Sequence, residues 1–335
     1  MTSSMSQPSL RSIPLGKTGP NVFPVGLGCM GMSGVYGPAE DGESVATIRH
    51  AIDRGVTLLD TGDFYGMGHN ELLVRRGIEG VRDKVQISVK FGAMRGPDGA
   101  SYGIDNRPAA VKNFAAYSLK RLGVDVIDVY RPARLDPQVP TEDTVGAIAD
   151  LVKAGFVRHI GLSEVGVEAI RRAYGVHPIV DLQIEYAIAT RGPETSIFPT
   201  LAELGMSATL YGVFSRGLLT GSRPSRKGDY RQYLPRFAGE QGAKNTGVVA
   251  KLHAFAAERG LTPAQLALAW VLAKQPTLVP IVGARTRAQL DDALVALDKP
   301  LSASDVAALE AIVPKDAIGG TRYGAEQMKY LDSER

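Results

Sequence analysis

Short Val/Ile/Leu-rich runs separated by longer helix-period stretches recur from about Val25 onward, and this alternation limits the fold more than any single motif does. The strand-like runs are Val25 to Gly28, Thr57 to Asp60, Val85 to Lys90, Val126 to Arg131, His159 to Ser163, Asp181 to Ile184, Ser207 to Tyr211 and Leu278 to Val282. Helix-period stretches lie between them, among them Glu43 to Arg54, Pro108 to Leu122, Thr141 to Ala154, Glu194 to Glu203 and Pro263 to Lys274. Strand followed by helix throughout implies a parallel sheet, and eight such units suit one closed (β/α)8 TIM barrel. Gly55, Gly123, Gly155 and Gly205 stand where helices should end, and Thr262-Pro263 reads as an N-cap with proline at the first helical position. A doubly wound sheet would alternate in the same way. Gly26-Leu-Gly28-Cys-Met-Gly31 does spell G-x-G-x-x-G, but no helix follows directly and no acid stands at the ribose-binding distance, so that architecture is rejected.

A chain of 335 residues with 44% hydrophobic content can bury a large core. We expect a flexible start over residues 1–10, a single barrel domain over 11–315 and a C-terminal tail over 316–335. Arg11 to Pro24 reads as a hairpin plugging the bottom of the barrel. Gly221 to Asn245, rich in Arg, Gly, Lys and Tyr, reads as a long mobile loop over the active-site face. The tail carries Gly319-Gly320 and two tyrosines, and is either partly disordered or folded over that same face.

Charge narrows the partners. The formal net charge of +3 arises from 38 basic and 35 acidic residues spread along the chain, which argues against a nucleic-acid surface. No apolar run reaches the roughly 20 residues that span a bilayer, and Met1 to Gln7 lacks a signal-peptide apolar segment, so we expect no membrane partner and a cytoplasmic location. The single Cys29 excludes an internal disulfide and suits a reducing compartment; it is expected to be a small buried residue, not a nucleophile. The five histidines show no paired ligand spacing, and no metal site is expected.

Active sites of such barrels lie at the C-terminal ends of the strands, so residues just past those ends converge whatever their separation in sequence. Asp60 ends the second strand, Tyr65 follows it and Lys90 ends the third. A lysine at the end of an apolar strand needs a counter-ion, and Asp60 on the neighbouring strand is the natural one. An ammonium beside Tyr65 would favour its phenolate and ease transfer of its proton to a developing alkoxide. The competing reading is a structural Asp–Lys pair with a core tyrosine.

Asp60-Thr-Gly-Asp-Phe-Tyr65-Gly, Asn70-Glu71, Lys90, Gly161-Leu-Ser163, Tyr211 with Arg216-Gly-Leu-Leu-Thr-Gly221, and Gly283-Ala-Arg285 occur in an order that resembles the aldo-keto reductase superfamily, from about Leu15 to Leu297. The resemblance implies a barrel that is monomeric or weakly self-associating. It also implies NADPH as hydride donor, a small-molecule aldehyde or ketone as substrate, and Tyr65 as general acid tuned by Lys90 and Asp60. Carried over by position, Ser163, Glu164 (where asparagine is usual) and Gln183 should hold the nicotinamide carboxamide, and Tyr211 should stack on its ring. Phe214, Ser215, Arg216 and Gly217 should follow the pyrophosphate. Gly283, Ala284, Arg285 and Gln289 should form the adenosine site, with Arg285 on a 2′-phosphate and Asp292 at the adenine amine. NADPH/NADP+ is therefore expected over NADH.

The chain departs from that pattern most sharply at a catalytic position. Tyr130-Arg-Pro-Ala133-Arg-Leu-Asp136 covers the segment in which the family carries a fourth catalytic residue, a histidine; here it is Ala133. Loss of one donor to a developing oxyanion costs on the order of 3 kcal/mol. Arg131, Arg134 or an ordered water could replace it; the vacated space could admit a bulky ketone; or catalysis could be vestigial. Strand alternation favours Arg131 and turns Arg134 toward the helix layer. We expect a working enzyme with a widened pocket lined by Met30, Met32, Tyr36, Phe91, Tyr102, Arg131 and Ala133, suited to detoxifying a bulky xenobiotic ketone. His69 is expected to cap the helix after Tyr65. The alternative is a non-catalytic sensor of nicotinamide cofactor on the same barrel.

Overall fold

The computed structural model describes residues 12–224 and 229–335. The expected flexible start (1–10) and part of the expected loop (225–228) lie outside the described residues. Eight parallel strands close into one barrel: β1 (Gly26–Gly28), β2 (Leu58–Gly62), β3 (Gln86–Phe91), β4 (Ile127–Pro132), β5 (Val157–Ser163), β6 (Ile179–Glu185), β7 (Ser207–Tyr211) and β8 (Val279–Gly283). Each strand pairs with its neighbours in chain order, and β8 returns to β1. The helices around it are α1 (Asp41–Asp53), α2 (His69–Ile78), α3 (Pro108–Leu122), α4 (Thr141–Lys153), α5 (Val167–Val176), α6 (Ile197–Leu204), α7 (Gly239–Glu258), α8 (Pro263–Lys274), α9 (Arg287–Leu294) and α10 (Ala303–Ile312).

Local chemistry sets the boundaries. Thr262 accepts from the Gln265 backbone N–H while the Gln265 side chain accepts from the Thr262 N–H, so α8 starts on a full capping box. Gly55, Gly123, Gly155 and Gly205 all take positive φ at helix ends. The hairpin forms between Ile13–Pro14 and Asn21–Val22. Its Ile13, Leu15 and Val22 pack with Leu58, Val129, Val180, Val279 and Ile281, closing the N-terminal end of the barrel with an apolar floor. Gly16 at the hairpin bend has φ +68, and a Cβ there would stand 2.5 Å from the Val180 carbonyl oxygen, so glycine is needed for both reasons.

The expected loop from Gly221 to Asn245 needs correction. Residues 239–245 are the opening turns of α7, and Tyr230–Tyr233 and Pro235–Phe237 are short helical turns. Arg231, Arg236 and Asn245 are buried. Arg231 is clamped to Asp229 at 2.6 Å, and Asn245 bonds the carbonyls of Arg236 and Gly319 at 2.9 Å each. Ion pairs and amide bonds order a segment that has no apolar period to announce it. The tail takes the second of its two expected forms: it folds across the C-terminal end of the barrel. Asp332 accepts from the Gly166 N–H at the start of α5 at 2.7 Å. Among the described residues, no helix is long and apolar enough to cross a membrane.

Candidate active site

Successive residues of a strand face opposite sides, so residues two apart line the barrel interior at rising heights. On β4, Val129 lies in the floor, Arg131 above it and Ala133 at the mouth; on β6 the same rise runs Asp181, Gln183, Glu185. The tier above the floor is a buried ion pair, Arg131 to Asp181 at 3.0 Å. Arg131 also donates to Ser88 Oγ at 3.1 Å and to the Leu162 carbonyl at 3.2 Å, and is completely buried. It is therefore fixed below the cavity. The expectation that Arg131 lines the pocket as a free donor is corrected: alternation gives it the right side but the wrong height.

One tier higher, Lys90 Nζ lies 2.8 and 2.7 Å from the two Asp60 carboxylate oxygens, with both residues buried. Gln183 Nε2 and Ser88 Oγ both donate to Asp60 Oδ1, at 2.8 and 3.2 Å, so the carboxylate is well satisfied. Burial holds Lys90 below its ordinary pKa, opposed by Asp60. The ammonium sits 5.2 Å from the centre of the Tyr65 ring. Tyr65 is buried, and desolvation followed by the Asp60 charge raises its pKa well above the ordinary value, opposed by the Arg134 charge. The Lys90 ammonium expected to ease deprotonation of Tyr65 is paired with Asp60 at 2.7 Å. Tyr65 remains fully protonated, as a proton donor to a strongly basic alkoxide should be.

Arg134 also departs from expectation. Past the end of β4 it curls back to donate to the Ala133 carbonyl and, at 3.3 Å, to Tyr323 Oη. It stands at the mouth, not in the helix layer. Tyr323 comes from the tail: its hydroxyl meets Tyr211 Oη at 2.8 Å, and the Arg216 guanidinium lies 4.3 Å from its ring centre. Arg322 beside it pairs with Glu164 at 2.8 Å and approaches Glu185 to 3.5 Å. Arg216 and Arg236 reach Glu185 at 2.8 and 3.3 Å. Burial would raise Glu164, but Arg322 and Arg134 hold it well below the usual carboxylate range; burial would likewise raise Glu185, and Arg216, Arg322 and Arg236 keep it ionised. Arg322, Tyr323, Glu185 and Arg236 were not foreseen. No strand ends at the tail, and the charges are legible only once their partners are known.

Glu164 accepts from the Glu185 N–H at 2.9 Å and from Tyr211 Oη at 2.7 Å, besides Arg322 and Ser333. This carboxylate anchors the tail and positions Tyr211. Ser163 is buried beside it. Glu164, Ser215, Arg216 and Met67 are the four non-glycine residues with positive φ (54, 47, 57 and 52) among those described. All four lie in loops after strands β2, β5 and β7, and backbone strain concentrated at one end of a barrel marks a functional face. The Ser215 hydroxyl is buried without a partner, and Phe214 packs on the core.

Around β8, the Arg285 N–H donates to Gln289 Oε1 at 2.9 Å, and its guanidinium rests on the carbonyls of Tyr36 and Pro38 at 3.4 Å, leaving it without a carboxylate partner among the described residues. Gly283 is exposed with open space beside it, and Ala284 is buried. Asp292 is engaged elsewhere, accepting from Thr262 Oγ1 at 3.1 Å and Gln265 Nε2 at 2.7 Å, so it braces the α8 cap.

Of the expected pocket residues, Tyr36, Met30 and Ala133 lie at the mouth. Burial raises the Tyr36 phenol to about 12. Phe91 does not face the mouth: one position past Lys90 it faces the helices, its ring 4.3 Å from Tyr130 and 6.3 Å from Phe114. Met32 is 1% exposed in the core. Tyr102 is 61% exposed on the hairpin that pairs Ala93–Arg95 with Ser101–Ile104. These three expectations are corrected, since a residue near a strand end in sequence can still point away from its opening. His69 bridges Ser33 and Asp41 at 3.1 Å each and makes no cap. Cys29 is buried, and burial pushes its thiol pKa up, as an inert thiol requires.

Asp63, in the same loop as Tyr65, is raised from 3.8 to about 7 by burial and by the neighbouring Glu71. Its folded pKa exceeds the unfolded one, so the stability it contributes is present below pH ~4 and is lost as pH rises through 7, by at most about 4 kcal/mol. Urea midpoints at pH 5.5 and 8 should fall less steeply for Asp63→Asn than for the wild type; parallel slopes would refute this.

The comparisons agree with this geometry. A family model described as "Aldo/keto reductase family" matches residues 24–314. A "Probable aldo-keto reductase 1" of Glycine max is 38% identical over 326 residues, covering 95% of this chain and 93% of the relative. Among solved structures, the glycerol dehydrogenase AKR11B4 of Gluconobacter oxydans superposes with a TM-score of 0.83 at 25% identity, covering 94% of this chain and 98% of that one. The aldo-keto reductase AKR11C1 of Bacillus halodurans, in its holo form, gives 0.73 at 25% identity over 91% of this chain and 97% of its own. With the closed barrel and a matched segment spanning nearly all of it, the chain belongs to the aldo/keto reductase family.

Proposed function

We propose that the protein reduces an aldehyde or ketone to the alcohol with NADPH in the cytoplasm, using Tyr65 as the proton donor. The observation that carries the reading is the buried Asp60–Lys90 pair beside a protonated Tyr65 at the strained end of the barrel. Such a pair without a reaction to serve would be a costly feature of a core.

The residues present fit the cofactor in two places. Arg285, unpaired and partly exposed, suits a 2′-phosphate beside the open Gly283, and the orphaned Ser215 hydroxyl in its strained loop suits a phosphate oxygen. Arg216 is already tied to Glu185, so backbone groups of that loop would meet the pyrophosphate. Bound there, the cofactor supplies hydride to the carbonyl carbon. Tyr211, fixed by Glu164, offers a ring face for the nicotinamide, and Ser163 and Gln183 lie beside it to orient the carboxamide. Lys90 and Asp60 hold the Tyr65 surroundings rigid while the phenol gives its proton to the substrate oxygen. The half-buried Tyr36 and Met30 and the small Ala133 leave apolar width for a bulky substrate, which favours a xenobiotic ketone.

Stopped-flow mixing with NADPH and a panel of aldehydes and ketones tests this. We expect NADPH oxidation with at least one bulky ketone. Arg285→Ala should weaken NADPH by about 10- to 100-fold and leave NADH within about threefold, since only the phosphate contact is removed. Tight binding with no oxidation across the panel would instead favour a cofactor sensor.

A further inference from the structure

We propose that Arg134 holds the substrate carbonyl oxygen as it gains negative charge, in the place vacated at Ala133; this rests on the reductase reading above. Three observations carry it. The first is charge accounting at the mouth. Arg216 and Arg236 are paired with Glu185, Arg322 with Glu164, Arg131 with Asp181 and Lys90 with Asp60. Arg134 alone among these cations has only neutral partners among the described residues, a backbone carbonyl and the Tyr323 hydroxyl. A half-buried guanidinium with no carboxylate in contact is a site for an anion.

The second is position. Arg134 follows directly on Ala133 and reaches the Tyr323 hydroxyl at 3.3 Å, which meets Tyr211 at 2.8 Å, and its charge is felt by Tyr65, Lys90 and Glu164. It therefore stands at the mouth near these groups, whereas Arg131 is walled in one tier below. The third is support. Tyr323 holds the guanidinium from the tail side, and Tyr323 is itself fixed by Tyr211 and by the Arg216 stack. A donor held this way needs little reorganisation when charge develops.

In the step, hydride adds to the carbonyl carbon and the C=O π pair moves onto oxygen. Arg134 donates a hydrogen bond to that oxygen while the Tyr65 proton passes to it. The hydride would come from NADPH, so the products are the alcohol, NADP+ and a tyrosinate, which regains its proton from water.

The test has an arm that needs no turnover. Acetate, a small anionic probe, is titrated calorimetrically into the full-length protein at low and high salt. We expect one salt-sensitive site in the wild type that weakens at least about tenfold in Arg134→Ala. In turnover, Arg134→Ala should lower kcat on the order of 100-fold with KM within about threefold. Arg134→Lys should fall between the two, and Ala133→His added to Arg134→Ala should recover at least about tenfold. Thermal midpoints accompany each variant, and Arg134→Lys carries the test if the alanine variant does not fold. No acetate site in the wild type, acetate binding unchanged in Arg134→Ala, or a loss confined to KM would overturn the proposal. Acetate binding through Arg134 in a protein that oxidises NADPH with no carbonyl would instead overturn the reductase reading and leave the anion site standing.

Discussion

Tyr65→Phe is expected to turn over carbonyl substrates on the order of a thousandfold more slowly than the wild type while binding NADPH within about threefold of it. The substitution removes one oxygen and no packing volume, and no protein hydrogen bond to that oxygen is present among the described contacts, so stability should hold. The cofactor residues inferred at Ser215 and Arg285 lie in other loops and are untouched. In the proposed reaction the phenol gives its proton to the nascent alkoxide, because Lys90 is committed to Asp60 at 2.7 Å. Single-turnover kinetics with pre-bound NADPH separate the chemical step from binding. A loss below about tenfold would assign the proton to another donor, with Tyr36 next in position.

Arg322→Ala is expected to cost about 3–5 kcal/mol of stability, since it removes a guanidinium facing two fully buried carboxylates. Glu164 would keep Tyr211 Oη and the Glu185 N–H, but not a counter-ion in contact; Glu185 would still have Arg216 and Arg236. Glu164 therefore bears most of the loss. Adding Glu164→Gln should restore a large part of it, because the buried charge goes with its partner. The same substitution should release the tail, and limited proteolysis should then cut within residues 316–335 faster than in the wild type. Unchanged urea midpoints for Arg322→Ala would show that the tail is only loosely held.

The barrel was legible because its period is. Eight apolar runs separated by helical ones are found at or within two residues of their expected places, and the apolar hairpin at Ile13 to Val22 is the floor it was read as. The Asp60–Lys90 pair is legible from sequence because a charged residue at the end of a buried strand must find its opposite, and the neighbouring strand offers one. The pocket was read less well. Phe91, Met32 and Tyr102 were placed by nearness in sequence, whereas alternation directs Phe91 to the helices and leaves Tyr102 on an outer hairpin. Arg134 was misdirected for the complementary reason: alternation stops governing a side chain once its strand has ended.

By itself the sequence determined the periodic part of this protein: the number and order of strands, the floor, the helix cap at Thr262 before Pro263, and the side of the barrel on which Asp60, Lys90 and Ala133 stand. Only the tertiary structure decided the heights of those inward residues, and with them that Arg131 lies beneath the cavity and not in it. It also decided that the tail brings Arg322 and Tyr323 to Glu164 and Tyr211, across 158 and 112 positions of chain. The physical reason is common to both. Backbone periods are local and repeat along the chain, but an ion pair is chosen by which opposite charge the closed barrel leaves within reach, and no local pattern carries that information.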